Sequence, residues 1–225
     1  MSLLVFDSSP LISLGDNCLL CVVKELKRLG HRLVITSGVQ KEIFSTPVHT
    51  KRFKLKALML ESLVRNNVLE VVSDPKIIKA GEEIEDLANS LVKYKRRNVR
   101  IIQRGEAESM AAYLLLNADA LVVDERTTRL LIEAPLKIAE FIKSRTGQHL
   151  KTDKQVMEKV EEKLGLIRVI RSAELVAYAY EKGFLSCACS QPNAFEASLY
   201  ALKFSGCSIT KEEIEEYARM MRMLR

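Results

Sequence analysis

Apolar positions along the chain fall into short blocks separated by longer stretches of helical spacing. Residues 3–6 form an apolar block that stops at Asp7, after which Ser8, Ser9 and Pro10 supply a cap and a proline suited to a first helical turn. This predicts a strand running into a helix. Residues 12–29 keep helical spacing up to Gly30, and residues 33–35 form the next β-branched block. A crossover over 39–64 follows, with a break expected at Pro47. Residues 69–72, closed by Ser73, Asp74 and Pro75, give a third strand. Two helices separated by the basic stretch 93–104 come next, the second being alanine-rich over 106–116, and a fourth strand covers 120–123. Beyond it the spacing predicts a helical region over 127–145 broken at Pro135, a charged amphipathic helix over 154–164, a fifth strand over 167–170 and a helix over 173–182 stopped by Gly183. Terminal helices span 193–204 and 211–224, the latter opened by Thr210 with Glu213 in a capping-box pattern.

Strands alternating with helices imply an α/β fold with a mostly parallel sheet covered on both faces. Hydrophobic residues make up 48% and charged residues 28% of the 225 positions, which excludes a disordered or fibrous chain. No apolar run approaches the roughly 18 to 20 residues of a bilayer span, and residues 1–9 lack the basic start and apolar stretch of a secretory signal. A cytoplasmic protein without a membrane partner is expected. Its five cysteines are then expected to be reduced thiols. Cys18 and Cys21 form a CxxC inside an apolar run and read as small buried hydrophobes, because Cys187, Cys189 and Cys207 supply no second ligand pair at a recognised spacing.

The net charge of +6 lies in one segment: residues 51–104 hold 13 Lys and Arg against 7 Asp and Glu. Lys51, Arg52, Lys54 and Lys56 crowd one hexapeptide, and residues 93–104, with Arg96 and Arg97, contain six cations and no anion. Such clustering suits a polyphosphate backbone, although a solvated helix face produces the same pattern.

The carboxylates carry the more specific signal. In an open parallel sheet, ligands bind outside the carboxyl ends of the strands, where strand order reverses. Asp7 directly follows the first strand and Asp124 the fourth; singly, an acid there is most often a turn or capping residue. Glu42 stands early in the second crossover, and Glu106 and Glu108 open the alanine-rich helix on opposite borders of its apolar stripe, where they also complement the helix dipole. If they gather, so many acids without basic partners call for a hard cation bound by oxygen, Mg2+ or Mn2+. The three histidines have no triad-like neighbours, and there is no P-loop or GxGxxG.

The run Leu4-Val5-Phe6-Asp7-Ser8-Ser9-Pro10-Leu11-Ile12 resembles the first motif of PIN-domain proteins. Val39-Gln40-Lys41-Glu42-Ile43 is similar to the second, Gly105-Glu106-Ala107-Glu108 and residues 118–126 to the third and fourth. The similarity covers about residues 3–131 and extends to 166–185, but not to 135–163 or the final helices. It implies a three-layer α/β/α sandwich with a sheet of about five strands over 1–185, a helical insertion near 135–163, and a C-terminal helical extension over 186–225 packed on the same domain. It further implies a Mg2+- or Mn2+-dependent ribonuclease acting in RNA processing or decay. Catalytic positions would be Asp7, Glu42, Glu106, Glu108 and Asp124. The metal would rest on Asp7, Glu42, Glu108 and Asp124, with the choice between Glu106 and Glu108 open and Glu125 secondary. Lys51, Arg52, Lys54, Arg96, Arg97, Arg126 and Arg129 would contact the RNA backbone. A non-catalytic RNA- or protein-binding scaffold and a toxin-type ribonuclease held by a partner are the alternatives. A homodimer or protein partner could use the C-terminal helices over 193–224, where Ile214, Tyr217, Ala218 and Met221 share a face, though such a stripe more often packs on its own core.

Overall fold

The structure is a computed structural model describing residues 1–45, 47–147, 149–191 and 193–223. Strand β1 (Leu3–Phe6) runs into α1 (Ser8–Asp16), and α2 (Leu20–Arg28) returns to β2 (Arg32–Thr36). Helix α3 (Ser37–Gln40), a π-helical turn (Lys41–Ser45), a 3-10 turn (Pro47–His49) and α4 (Lys54–Arg65) lead to β3 (Glu70–Val72). Helix α5 (Pro75–Ser90), strands β4 (Val92–Tyr94) and β5 (Arg97–Asn98), and α6 (Arg104–Leu116) precede β6 (Ala120–Val122). Then come α7 (Arg126–Glu133), α8 (Ile138–Thr146), β7 (Lys151–Thr152), α9 (Lys154–Leu164), β8 (Val169–Ile170), α10 (Ser172–Glu181), α11 (Ala194–Phe204) and α12 (Lys211–Met223). Leu224, where the helical spacing ends, lies outside the described residues.

The central sheet has five strands in the order β3-β2-β1-β6-β8, and every pairing is parallel. Side chains alternate across a strand, and the sheet sorts them into two cores. Leu4, Phe6, Leu33, Ile35, Ala120 and Val122 pack with α1, α2, α4, α10 and α11. Val5, Leu121 and Val123 pack on the other face with residues of α5, α6, α7 and α9. This is the three-layer α/β/α sandwich. Residues 105–113 of α6 are all buried, so that part of the helix is enclosed around its whole circumference, with Glu106, Glu108 and Ser109 the polar side chains held inside. The C-terminal segment shares the first core through Phe195, Leu199, Leu202, Ile209 and Ile214. Tyr217 and Met221 pack there as well, so the apolar stripe of α12 is covered within the chain.

Four expectations are corrected. The helix over 12–29 is divided, because Cys18 adopts φ 58 and the Leu19 N–H donates to Leu14 O at 2.8 Å, a left-handed cap that ends α1. The crossover over 39–64 is not α-helical throughout: α3 gives way to the π-helical turn and the 3-10 turn before α4. The basic stretch 93–104 is no plain connection between helices. It forms a hairpin in which Lys95 and Arg96, at φ 46 and φ 68, make a two-residue turn, and β4 also pairs with β7 in a second, antiparallel sheet. Finally, Cys21 and Cys187 are disulfide-bonded, with Cα atoms 6.1 Å apart, while Cys18, Cys189 and Cys207 are free. The fold brings α2 against the turn after α10, a meeting that 166 residues of separation conceal. Among the described residues no helix is long and apolar enough to cross a membrane.

Candidate functional site

Strand order reverses between β1 and β6: the chain proceeds outward from β1 through β2 to β3 on one side, while β6 and β8 lie on the other. A crevice therefore opens beyond their carboxyl ends. Phe6 is in register with Val122, and the Asp7 N–H donates to Val122 O at 3.0 Å, so Asp7 and Asp124 leave the sheet at the same edge. Asp7 caps α1, its Oδ2 accepting the Ser9 N–H at 3.2 Å and the Ser9 hydroxyl at 2.8 Å. Ser9 Oγ in turn accepts the Asp124 N–H at 3.2 Å, so one hydroxyl joins the two acidic residues. Both are buried, Asp7 to 2% exposure and Asp124 to 1%.

Their environments differ. Asp124 is saturated: its oxygens accept from Ser13 Oγ at 2.7 Å, Ser172 Oγ at 2.7 Å and the Ser172 N–H at 2.8 Å. Asp7 Oδ1 is buried with no hydrogen-bond partner, an unusual condition for a carboxylate oxygen.

The glutamates divide similarly. Glu108 bridges elements, accepting the Gly38 N–H at 3.0 Å and Arg104 Nε at 3.0 Å. Glu106 accepts its own helix's Gln103 N–H at 2.8 Å and the Thr128 hydroxyl through a short contact. Glu42, exposed in the π-helical turn, lays its carboxylate against Gly105, where an added Cβ would stand 2.9 Å from Glu42 Cδ. Glu125 is exposed beside Arg126 at the entrance to α7.

Mutual repulsion links these groups. Burial pushes the Asp7 carboxyl up, against the lowering hydrogen bonds of Ser8 and Ser9, and Asp124 pushes it further. Burial and then Asp7 raise Glu106 to about 8. Glu42 and Glu125, exposed over the residue as a whole, are raised by partial desolvation of their carboxylates, with Asp7 adding to both and Glu108 to Glu42. Asp7 is thus the centre of a field felt by Glu42, Glu106 and Glu125.

The chemistry of these donors, though not their arrangement, is that of a site for a hard divalent cation. The set offers oxygen alone, it contains an unpartnered buried carboxylate oxygen, and burial first and Asp7 second hold the Glu106 carboxyl up at about 8. Asp124, Glu108 and Glu106 each have protein donors on both oxygens, so among these acids only Asp7 keeps a buried oxygen without one; Glu108 is in addition paired with the Arg104 guanidinium, whereas the donors to Glu106 are neutral. Among the described residues no group of three or more His, Cys, Asp or Glu side chains stands in an arrangement that could hold a metal ion. The acids are clustered, but they do not meet at one point.

Of the basic residues, Arg126 lines a groove of about 640 Å³ beside Asp124 and Glu125. Arg145 and Lys203 line it too, neither of them singled out by the sequence, and so do Ser205 and Ser208 of the C-terminal segment. Arg129 is engaged by Ser208 and Glu133. Lys51, Arg52 and Lys54 are exposed where the chain enters α4, with Arg52 over the Phe53 ring at 5.4 Å, and Arg96 and Arg97 are exposed on the β4–β5 hairpin. None of these five lines a groove that contains the acids. The hydroxyls of Ser9, Ser13, Thr128 and Ser172, which hold the acids in place, were not legible as site residues apart from Ser9 in its motif.

No protein-family model, curated protein or solved structure matches this chain.

Proposed function

We propose that the protein is a Mg2+- or Mn2+-dependent nuclease acting on RNA phosphodiester bonds, as the motif resemblance implies. The observation that supports this reading is Asp7 at the switch point of the sheet, its Oδ1 buried and unpartnered, with Asp124 close enough to act on it and Glu42 and Glu106 close enough to feel it. Asp7 and Glu106 would hold the cation, with Glu42 from the rim, and Asp124 would position Asp7 through Ser9. The cation supplies charge neutralisation at the phosphate and activation of water. Arg126, Arg145 and Lys203 in the adjoining groove attract the polyanion toward the acids. No side-chain nucleophile is required.

Saturation of Asp124 by three protein donors favours a second reading, a non-catalytic scaffold that binds RNA through the same groove. The two separate in one experiment: incubation of single-stranded and structured RNA with the wild type, Asp7→Asn and Glu106→Gln in Mg2+, Mn2+ or EDTA. Cleavage by the wild type alone, abolished by EDTA, is the result expected of the nuclease. RNA binding without cleavage in every condition supports the scaffold.

A further inference from the structure

A second cavity, of about 390 Å³, lies beside the first and shares Glu125, Thr127 and Arg145 with it. Glu106 lines this second cavity, opposite Phe141 of α8. Phe141 is half-buried, and two guanidiniums lie over its ring, Arg126 at 5.0 Å and Arg145 at 4.8 Å from the centroid. The two cavities make one track. It passes the hydroxyls of Ser8 and Ser9, crosses Glu125, and reaches the aromatic group next to Glu106.

We infer that Arg126, Phe141 and Arg145 form a stacking subsite that takes one unpaired nucleobase and seats it beside the acidic cluster. This rests on the nucleic-acid reading above and adds to it the state of the base that is bound. Cation–π contacts occur elsewhere in the chain, whereas here two guanidiniums share one ring that lines a cavity with Glu106. A guanidinium over Phe141 is a planar, weakly hydrated group on which a base can extend a stack. A base within a duplex shows only its edges, so laying its face on this layer requires that it be unpaired and unstacked from a neighbour. Phe141 and Arg145 stand in α8, inside the segment over 135–163 that the motif resemblance does not reach, while Arg126 opens α7 within the stretch that it covers.

The test is binding in EDTA, so that it does not depend on cleavage. The probe is a short uridine oligonucleotide carrying one 2-aminopurine, used single-stranded, annealed to its complement, and with the 2-aminopurine replaced by an abasic sugar. The single strand should bind with quenched 2-aminopurine fluorescence, and both the duplex and the abasic strand should bind more weakly. Phe141→Ala should lower affinity for the single strand roughly 5- to 150-fold, the range for loss of one stacked base, with no change for the abasic strand. Phe141→Leu keeps the apolar packing and should lose the quenching while retaining the thermal stability of the wild type. Equal affinity for the abasic strand, or unchanged affinity and quenching in Phe141→Leu, would overturn the subsite. Stacking without cleavage in Mg2+ would leave the subsite standing and remove the nuclease, whereas cleavage with no effect of Phe141 would do the reverse.

Discussion

The Asp124 carboxylate accepts the backbone N–H of Ser172 at 2.8 Å, so the residue that leaves the fourth central strand also holds the first residue of the helix that follows the fifth. Ser13 of α1 and the Ser172 hydroxyl complete its shell. An acid at the centre of a candidate active site is thus also a junction of three elements. Hydrogen bonds to a charged group contribute about 1.5 to 3 kcal/mol each, and a buried donor left without its acceptor costs more than the bond was worth. Asp124→Ala should lower unfolding free energy by roughly 3 kcal/mol or more, read by urea denaturation, whereas Asp124→Asn should recover part of it. A stability equal to wild type in Asp124→Ala would contradict the structural role.

Asp7 and Glu106 should behave in the opposite way. Both carboxyls are raised chiefly by burial, to which Asp124 adds at Asp7 and Asp7 adds at Glu106. Between the ordinary glutamate value of 4.5 and about 8, the folded chain holds a proton on Glu106 that the unfolded chain has released. Stability contributed by this group is therefore full below 4.5 and is lost as pH rises through about 8. Thermal melts in EDTA should show that decline in the wild type and a flatter profile in Glu106→Gln. A profile that rises across this window and is unchanged by the substitution would refute the assignment.

Addition of Mg2+ or Mn2+ should reverse the trend, since a cation binds the deprotonated acids. The melting shift produced by metal should grow as pH increases toward 8, where the Glu106 proton leaves. A shift that is independent of pH would place the cation elsewhere.

Gly105 leaves the space in which Glu42 lies, and any side chain there would meet the Glu42 carboxylate. That neighbour is the end of a flexible, exposed side chain, so Gly105→Ala should fold with nearly wild-type stability while weakening Mn2+ binding by displacing Glu42. Unchanged Mn2+ affinity would remove Glu42 from the proposed ligands.

The disulfide is independent of the site. Closing a loop across a separation of 166 residues is worth on the order of 5 kcal/mol on chain entropy alone. Titration of thiols under denaturing, non-reducing conditions should find three reactive cysteines of the five, and reductant should lower the midpoint of unfolding. Five reactive thiols with no change in midpoint would mean that Cys21 and Cys187 are unpaired.

What could be read from the sequence follows physical range. Asp7 and Asp124 were legible because each ends a short apolar block, and the parallel order that aligns them follows from strand–helix alternation. The partition between acids was not, since it depends on which oxygen finds a donor: Ser13 lies 111 residues from Asp124, and Thr128 lies 22 from Glu106. Local turns hid for another reason. Cys18, Lys95 and Arg96 take positive φ without being glycine, so no residue type announced the break in the first helix or the hairpin. Arg145, Phe141 and Lys203 reach the acids from segments outside the motif resemblance, and only the fold brings them there.

In the proposed site a divalent cation is captured by Asp7 and Glu106. Calorimetric titration of Mn2+ into the metal-free protein at pH 8 tests it, with Asp7→Asn as the comparison because asparagine still caps α1 and the fold is preserved. Saturable binding in the wild type that is lost in a folded Asp7→Asn chain is the predicted result. Equal binding by both chains, or none by the wild type, would contradict it.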